Sequence, residues 1–126
     1  MAWKFTSSEP IYMQIAGKIM TDIIIGRFSP GSRLPSVREL GMAAGVNPNT
    51  VQHAMVELER QGVVTALIGD GRYVTDNTTA IEAFKTRSAS LAADEFIKRM
   101  QDLQIDRKRA QALMNEAFEK YEKKED

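Results

Sequence analysis

The chain has 126 residues, no cysteine, 43% hydrophobic and 27% charged residues, and a formal net charge of zero. That composition suits one globular domain, or one domain with an appendage, and excludes disulfides and thiolate metal sites. The opening MAWKFTSSEP has no apolar stretch for a signal peptide, and the longest apolar cluster, Ile23-Ile24-Ile25, falls far short of the ~20 residues of a membrane helix. A cytoplasmic protein is therefore expected. The charge splits into +1 over residues 1–75 and −1 over residues 76–126. A nucleic-acid binder with so little positive charge must rely on a few placed cations and on a dimer that doubles them.

Met1 to Ser8 reads as a short arm with room for strand pairing around Trp3 to Phe5. A first helix is expected from the Glu9-Pro10 step, because proline at the first helical position lacks an N–H that would be unpaired anyway. Ile11, Ile15, Ile19 and Ile23 recur every four residues beside Tyr12 and Ala16. This makes one apolar stripe to about Ile25, where Gly26 stops the helix. Phe28 anchors the following loop, in which Pro30-Gly31 marks a turn. Arg33-Leu34-Pro35 is extended, since the residue before proline avoids the helical region.

Ser36 is a good N-cap, and Glu39 three residues later completes a capping box. The second helix then runs from Val37 to Ala44, burying Val37, Leu40 and Ala43 or Ala44. Gly45 ends it and Val46 plugs the turn. Asn47 caps a third helix with Pro48 at its first position, running to about Gln61. The period then changes. Val63 to Leu67 and Arg72 to Thr75 are β-rich runs around Ile68-Gly69-Asp70-Gly71, which makes a hairpin. Three helices followed by a hairpin define a winged helix-turn-helix over residues 9–76, with the motif at about 37–56 and the wing at about 63–75.

Asp76 to Thr79 is polar and reads as a linker. Residues 77–126 are helical again. Ala89, Ala92, Ala93, Phe96, Met100 and Leu103 share one side of a helix ending near Gln104, while Phe84 and Leu91 lie roughly opposite. Asp106 caps a last helix carrying Ala110, Leu113, Met114, Ala117, Phe118 and Tyr121 at 3-4 spacing. The tail EKKED is charged and expected to fray. Two helices cannot cover all these apolar faces by folding on each other. Dimerisation through this region is the sharper reading; packing back on the winged domain is the blander one. The fold class is thus mainly α with a small β-hairpin, a winged domain followed by a two-helix dimerisation region.

Helical geometry puts Val51, Ala54, Met55 and Leu58 on the inner face of the third helix. Asn49, His53 and Arg60 point away from the core, with Thr50 and Gln52 on the flanks. Short polar groups on such a face can enter a major groove, and asparagine or glutamine can pair two atoms of an adenine edge. His53 can reach a base or a phosphate. Arg38 stands where the second helix would cross the DNA backbone, unless it pairs with Glu39 or Glu57 instead. Ser36 can offer its hydroxyl or N–H to a phosphate. Gly69 and Gly71 would let the wing approach a duplex closely, with Arg72 supplying charge against the opposing Asp70. An ordinary hairpin turn is the alternative reading of the same residues. No Ser-His-Asp set, Walker loop or histidine cluster is present, so neither an enzyme nor a cofactor or metal site is expected.

P-I-Y-x-Q-I, I-I-x-G-R-F-x-P-G-S-R-L-P-S-V-R-E-L, V-N-P-N-T-V-Q-x-A-M-x-E-L-E-x-Q-G-V-V and G-D-G-R-Y-V follow one another from Pro10 to Val74. This series resembles the N-terminal domain of GntR-family regulators, and N-P-N-T-V-Q with the short helical tail resembles the YtrA subfamily. The resemblance implies a transcription regulator, usually a repressor, acting as a homodimer on a near-palindromic DNA operator. It places DNA contacts at Arg38, Asn47, Pro48, Asn49, Thr50, Gln52 and Gly69. Some family members carry arginine where this chain has Pro48 and Gln52, which leaves the base preference open. The roughly 50 residues after the wing make a conventional effector pocket unexpected, so any small-molecule effector is unknown. The competing readings are a winged-helix interaction adaptor, favoured by the near-zero charge, and a small-ligand sensor.

Overall fold

The computed structural model describes residues 3–122. The first two residues of the expected arm and the charged tail beyond Glu122 lie outside the described residues. The elements are α1 (Ile11–Ile24), α2 (Val37–Ala44), α3 (Pro48–Arg60), β1 (Val64–Leu67), β2 (Gly71–Val74), α4 (Thr78–Asp102) and α5 (Arg107–Glu122). The chain divides into two compact units between Thr86 and Arg87, inside α4.

The first unit is built on one apolar core. Ile15, Ile19 and Ile23 of α1 meet Val51, Met55 and Leu58 of α3, with Val63 just before β1 and Val74 of β2, all of them fully buried. The four-residue spacing of the isoleucines makes this possible, because it keeps them on one side of α1. Ile81 and Phe84, from the first turns of α4, also pack on this core. Leu91, seven residues beyond Phe84, is 62% exposed.

Local chemistry sets the helix ends. Ser36 Oγ accepts the Glu39 N–H at 3.0 Å, and the Ser36 N–H donates to Glu39 Oε1 at 3.1 Å, so the capping box forms in full. Gly45 closes α2 in the left-handed region with φ +75°, where a Cβ would be strained. Asn47 Oδ1 accepts the Asn49 N–H at 2.8 Å and caps α3. Gly41, inside α2, is explained by a close approach: a Cβ there would lie 2.9 Å from the Val46 carbonyl oxygen. The turn between the two helices therefore crosses α2 at its one residue without a side chain.

The hairpin pairs antiparallel with Val64 opposite Val74 and Leu67 opposite Gly71. The extended loop before α2 pairs irregularly along the free edge of β2, with an isolated antiparallel bridge between Arg33 and Tyr73. Leu34 N–H donates to the Arg72 carbonyl at 2.8 Å, Gly31 N–H to the Val74 carbonyl at 3.0 Å, and Val74 N–H to the Ser32 carbonyl at 2.9 Å. The wing is thus tied to the segment that leads into α2.

Several expectations need correction. Trp3 to Phe5 form no strand; the Trp3 N–H donates to the Ala44 carbonyl at 3.2 Å and the indole packs on the core. Gln14 holds the same segment by accepting the Thr6 N–H and donating to the Thr6 carbonyl, a side-chain substitute for strand pairing. Pro10 is the extended cap of α1, not its first helical residue. In α2 Val37 is half-buried where full burial was expected, while Leu40 and, of the two alanines considered, Ala44 are buried as expected. The linker is shorter than its composition suggests, because Asn77 Oδ1 accepts the Ala80 N–H at 3.2 Å and starts α4 at Thr78.

In the second unit, Asp106 Oδ1 accepts the Arg109 N–H at 2.9 Å and caps α5 as expected. No residue of α4 is buried, and Ala110 is the only buried residue of α5. Phe96, Met100, Ile105, Ala110 and Met114 line an open groove of about 740 Å³. Among the described residues no helix is long and apolar enough to cross a membrane.

Two carboxylates make the first unit acid-sensitive. Hydrogen bonds from Arg60 and then Gln61 hold the Glu57 carboxyl down at about 2 from its ordinary 4.5. The Ser36 backbone and hydroxyl bonds lower that of Glu39. A depressed carboxylate contributes stability above its unfolded pKa and loses it as pH falls toward the folded value. The melting temperature should therefore decline as pH drops from about 4.5 toward 2, and Glu57→Gln should flatten that decline. An unchanged profile for Glu57→Gln in thermal unfolding by circular dichroism would show that the Arg60 pair contributes nothing.

Candidate nucleic-acid interface

The third helix presents its N-terminal turns outward. Val51, Ala54, Met55 and Leu58 are buried, while Asn47, Pro48, Asn49, Gln52 and His53 are exposed and Thr50 is half-buried. The side chain of Asn47 is committed to its cap, so its polar capacity toward a ligand is reduced. Asn49 and Gln52 are the exposed amides of this face.

Two neighbours frame it. On one side the His53 ring stacks on Tyr12 of α1, with ring centroids 3.6 Å apart and planes within 8°. His53 is therefore held against α1, with its side chain still exposed on the face where a base or phosphate contact was expected. On the other side Arg72 of β2 reaches α3: its Nη1 donates to Gln52 Oε1 at 2.9 Å and its Nε donates to the Glu59 carboxylate. The Arg72 side chain is only 19% exposed. It does not extend from the wing as a loose cation.

Ser36 and Arg38 lie at the start of α2. The Ser36 N–H is already donated to Glu39, so its hydroxyl proton is what remains to offer. The proposed rival partners of Arg38 are both engaged elsewhere: Glu39 closes the capping box, and Glu57 pairs with Arg60. Arg38 is exposed, and no carboxylate among the described residues pairs with it. By contrast Lys18 and Arg27 flank the buried Asp22, and Arg60 and Arg72 have their glutamates.

The wing tip is braced from below. Arg33 donates to the Asp70 carbonyl, and the Tyr73 hydroxyl donates to Asp70 Oδ2 at 2.9 Å. That second bond raises the Tyr73 pKa and occupies the carboxylate that would otherwise face a phosphate unaided. Gly69 has φ +78° with open space where a Cβ would stand, so its conformation and not crowding requires glycine. Ile68, next to it, is fully exposed. Arg33 was absent from the sequence-derived site, yet it fixes the shape of the tip.

A capped α2, a tight turn, an exposed polar start to α3 and a braced hairpin define a winged helix-turn-helix DNA-binding protein. Bacterial regulatory proteins of the gntR family match over residues 11–74, and the chain belongs to this family of transcription regulators. Among curated proteins, it is 36% identical over 100 residues to the HTH-type transcriptional regulator YhcF of Bacillus subtilis (strain 168), covering 79% of this chain and 83% of that one. It is 45% identical over 82 residues to the transcriptional repressor YtrA of the same organism, covering 64% of this chain and 63% of that one. Among solved structures, a GntR-family regulator from Listeria monocytogenes superposes with a TM-score of 0.83 at 36% identity, covering 89% and 98% of the two chains. The DNA-binding domain of AraR in complex with operator ORX1 superposes with a TM-score of 0.54 at 25% identity, covering 60% and 95%.

Proposed function

We propose that the protein is a cytoplasmic, homodimeric repressor of the YtrA-like type that binds a near-palindromic operator. Residues 9–76 bind the DNA and residues 77–126 join two copies. The α3 helix enters the major groove with Asn49, Thr50 and Gln52 toward the bases, and Asn47 and Pro48 at its approach. Ser36 and Arg38 meet the phosphate backbone, and the wing lies along the minor groove at Gly69. The operator complex of the AraR domain, a relative with the same winged fold, supports this docking. The 45% identity to a named repressor supports the sign of regulation and the subfamily.

The observation that carries the reading is Arg38. Among the five arginines of the first unit it is the one whose exposed guanidinium makes neither an ion pair nor a hydrogen bond to the described residues, Arg33 being held on the Asp70 carbonyl, and it stands on the helix that crosses the backbone in helix-turn-helix complexes. Binding to the DNA upstream of the protein's own gene, titrated at several salt concentrations, tests it. Arg38→Ala should weaken binding to operator and unrelated duplexes alike and reduce the log–log salt slope by about 1 per protomer. Unchanged affinity would remove α2 from the backbone. Absence of any salt-dependent binding by a folded dimer would favour the adaptor reading.

A further inference from the structure

We propose that Arg72 sets the base preference of Gln52: it holds the amide oxygen and turns the NH₂ group toward the DNA, so that this position reads guanine in place of adenine. The inference rests on α3 lying in the major groove, as above.

Gln52 and Glu59 are seven residues apart on α3, two turns, and so face the same way. Arg72 spans both, donating from Nη1 to Gln52 Oε1 at 2.9 Å and from Nε to the Glu59 carboxylate. Strand geometry explains why it can. Arg72 and Val74 are two apart on β2 and share a face, and Val74 is buried in the core beneath α3. The wing therefore delivers a cation to the flank of the reading helix.

A guanidinium has donors only, so the amide atom turned toward it must be the oxygen. The Gln52 NH₂ group is left on an exposed side chain with no hydrogen-bond partner among the described residues. Pairing glutamine with adenine needs both amide atoms, the oxygen accepting from N6 and the nitrogen donating to N7. Here one of the oxygen's two lone pairs is taken and the oxygen is turned toward a positive charge, which repels an incoming amino group. What faces outward is a pair of N–H donors. Guanine offers two acceptors, O6 and N7, on the same edge. Glu59 acts at one remove, by keeping Arg72 on α3 and off the phosphates. Arg72 and Glu59 are thus positioning residues, and Gln52 is the one that touches the base.

The test measures binding to four duplexes that differ only at the base pair facing Gln52, located as the pair at which Gln52→Ala loses discrimination. The wild-type protein should prefer guanine to adenine there by roughly tenfold. Arg72→Met should erase or invert that preference, and Arg72→Lys, which keeps a donor and the charge, should retain part of it. In a Gln52→Ala background, Arg72→Met should leave the base profile unchanged. Should Arg72→Met not fold by circular dichroism, Glu59→Gln loosens Arg72 without removing it and should erode the preference in the same direction. The inference is overturned if the wild type prefers adenine. It is overturned too if Arg72→Met weakens all four duplexes equally with guanine still first, since Arg72 is then a phosphate contact. Failure to bind any of the four would instead overturn the docking of α3 itself.

Discussion

Leu58→Ala should lower the stability of the winged unit by about 2–5 kcal/mol, the usual cost of truncating a fully buried leucine. Leu58 is 1% exposed and belongs to the core that α3 shares with α1 and the hairpin. A small domain has only roughly 5–15 kcal/mol of net stability, so this one change consumes a large part of it. Urea unfolding followed by circular dichroism measures the effect. The control is Met42→Ala on α2, a side chain 81% exposed, which should change stability by no more than about 0.5 kcal/mol. A Leu58→Ala cost as small as the control's would mean that α3 is not seated on α1 as described. Operator binding should fall with the Leu58 variant only as far as the folded fraction falls, because no Leu58 atom is exposed to reach DNA.

The parts of the fold that were legible in the sequence are those set by local chemistry. Both ends of α2 follow from Ser36, Glu39 and Gly45, whose hydrogen bonds reach no further than a few residues. The start of α3 follows from Asn47 and Pro48 for the same reason. The hairpin was readable from its β-branched runs, to within a residue at each end. What escaped joins residues far apart in the chain. Tyr12 with His53, Arg33 with Asp70, and Arg72 with Gln52 are each brought together by packing, which no local pattern encodes. One of these left a trace. Arg72 is two residues from Val74, an apolar residue of the same strand, and strand alternation turns both toward the core side. Arg72 was thus readable as facing α3 and not as a free charge on the wing. Gly41 left another: a glycine inside a helical pattern marks a close backbone approach, and here the approaching group is Val46.

Replacing Met114 and Phe118 of α5 together by aspartate should convert the protein from dimer to monomer and lower its affinity for a full operator by roughly 10²–10⁴. Both side chains are exposed within the single chain, at 41% and 57%, so the variant leaves the core of the protomer intact. The size of the effect follows from charge. In the winged unit the exposed guanidiniums without a carboxylate partner are Arg38 and Arg33, the latter held on the Asp70 carbonyl, and the whole chain is neutral. One protomer therefore has few contacts with which to hold a phosphate backbone. Two protomers joined through residues 77–126 would engage two half-sites about 34 Å apart, and the second engagement becomes intramolecular. Sedimentation velocity reads the assembly, and anisotropy titrations on half-site and full-site duplexes read the affinity. Half-site affinity should stay at the wild-type value while the full-site advantage disappears. A variant that remains dimeric would move the seam off α5. A monomer that keeps full-site affinity would show that one winged unit is sufficient, and the weak charge of the chain would then need a different explanation.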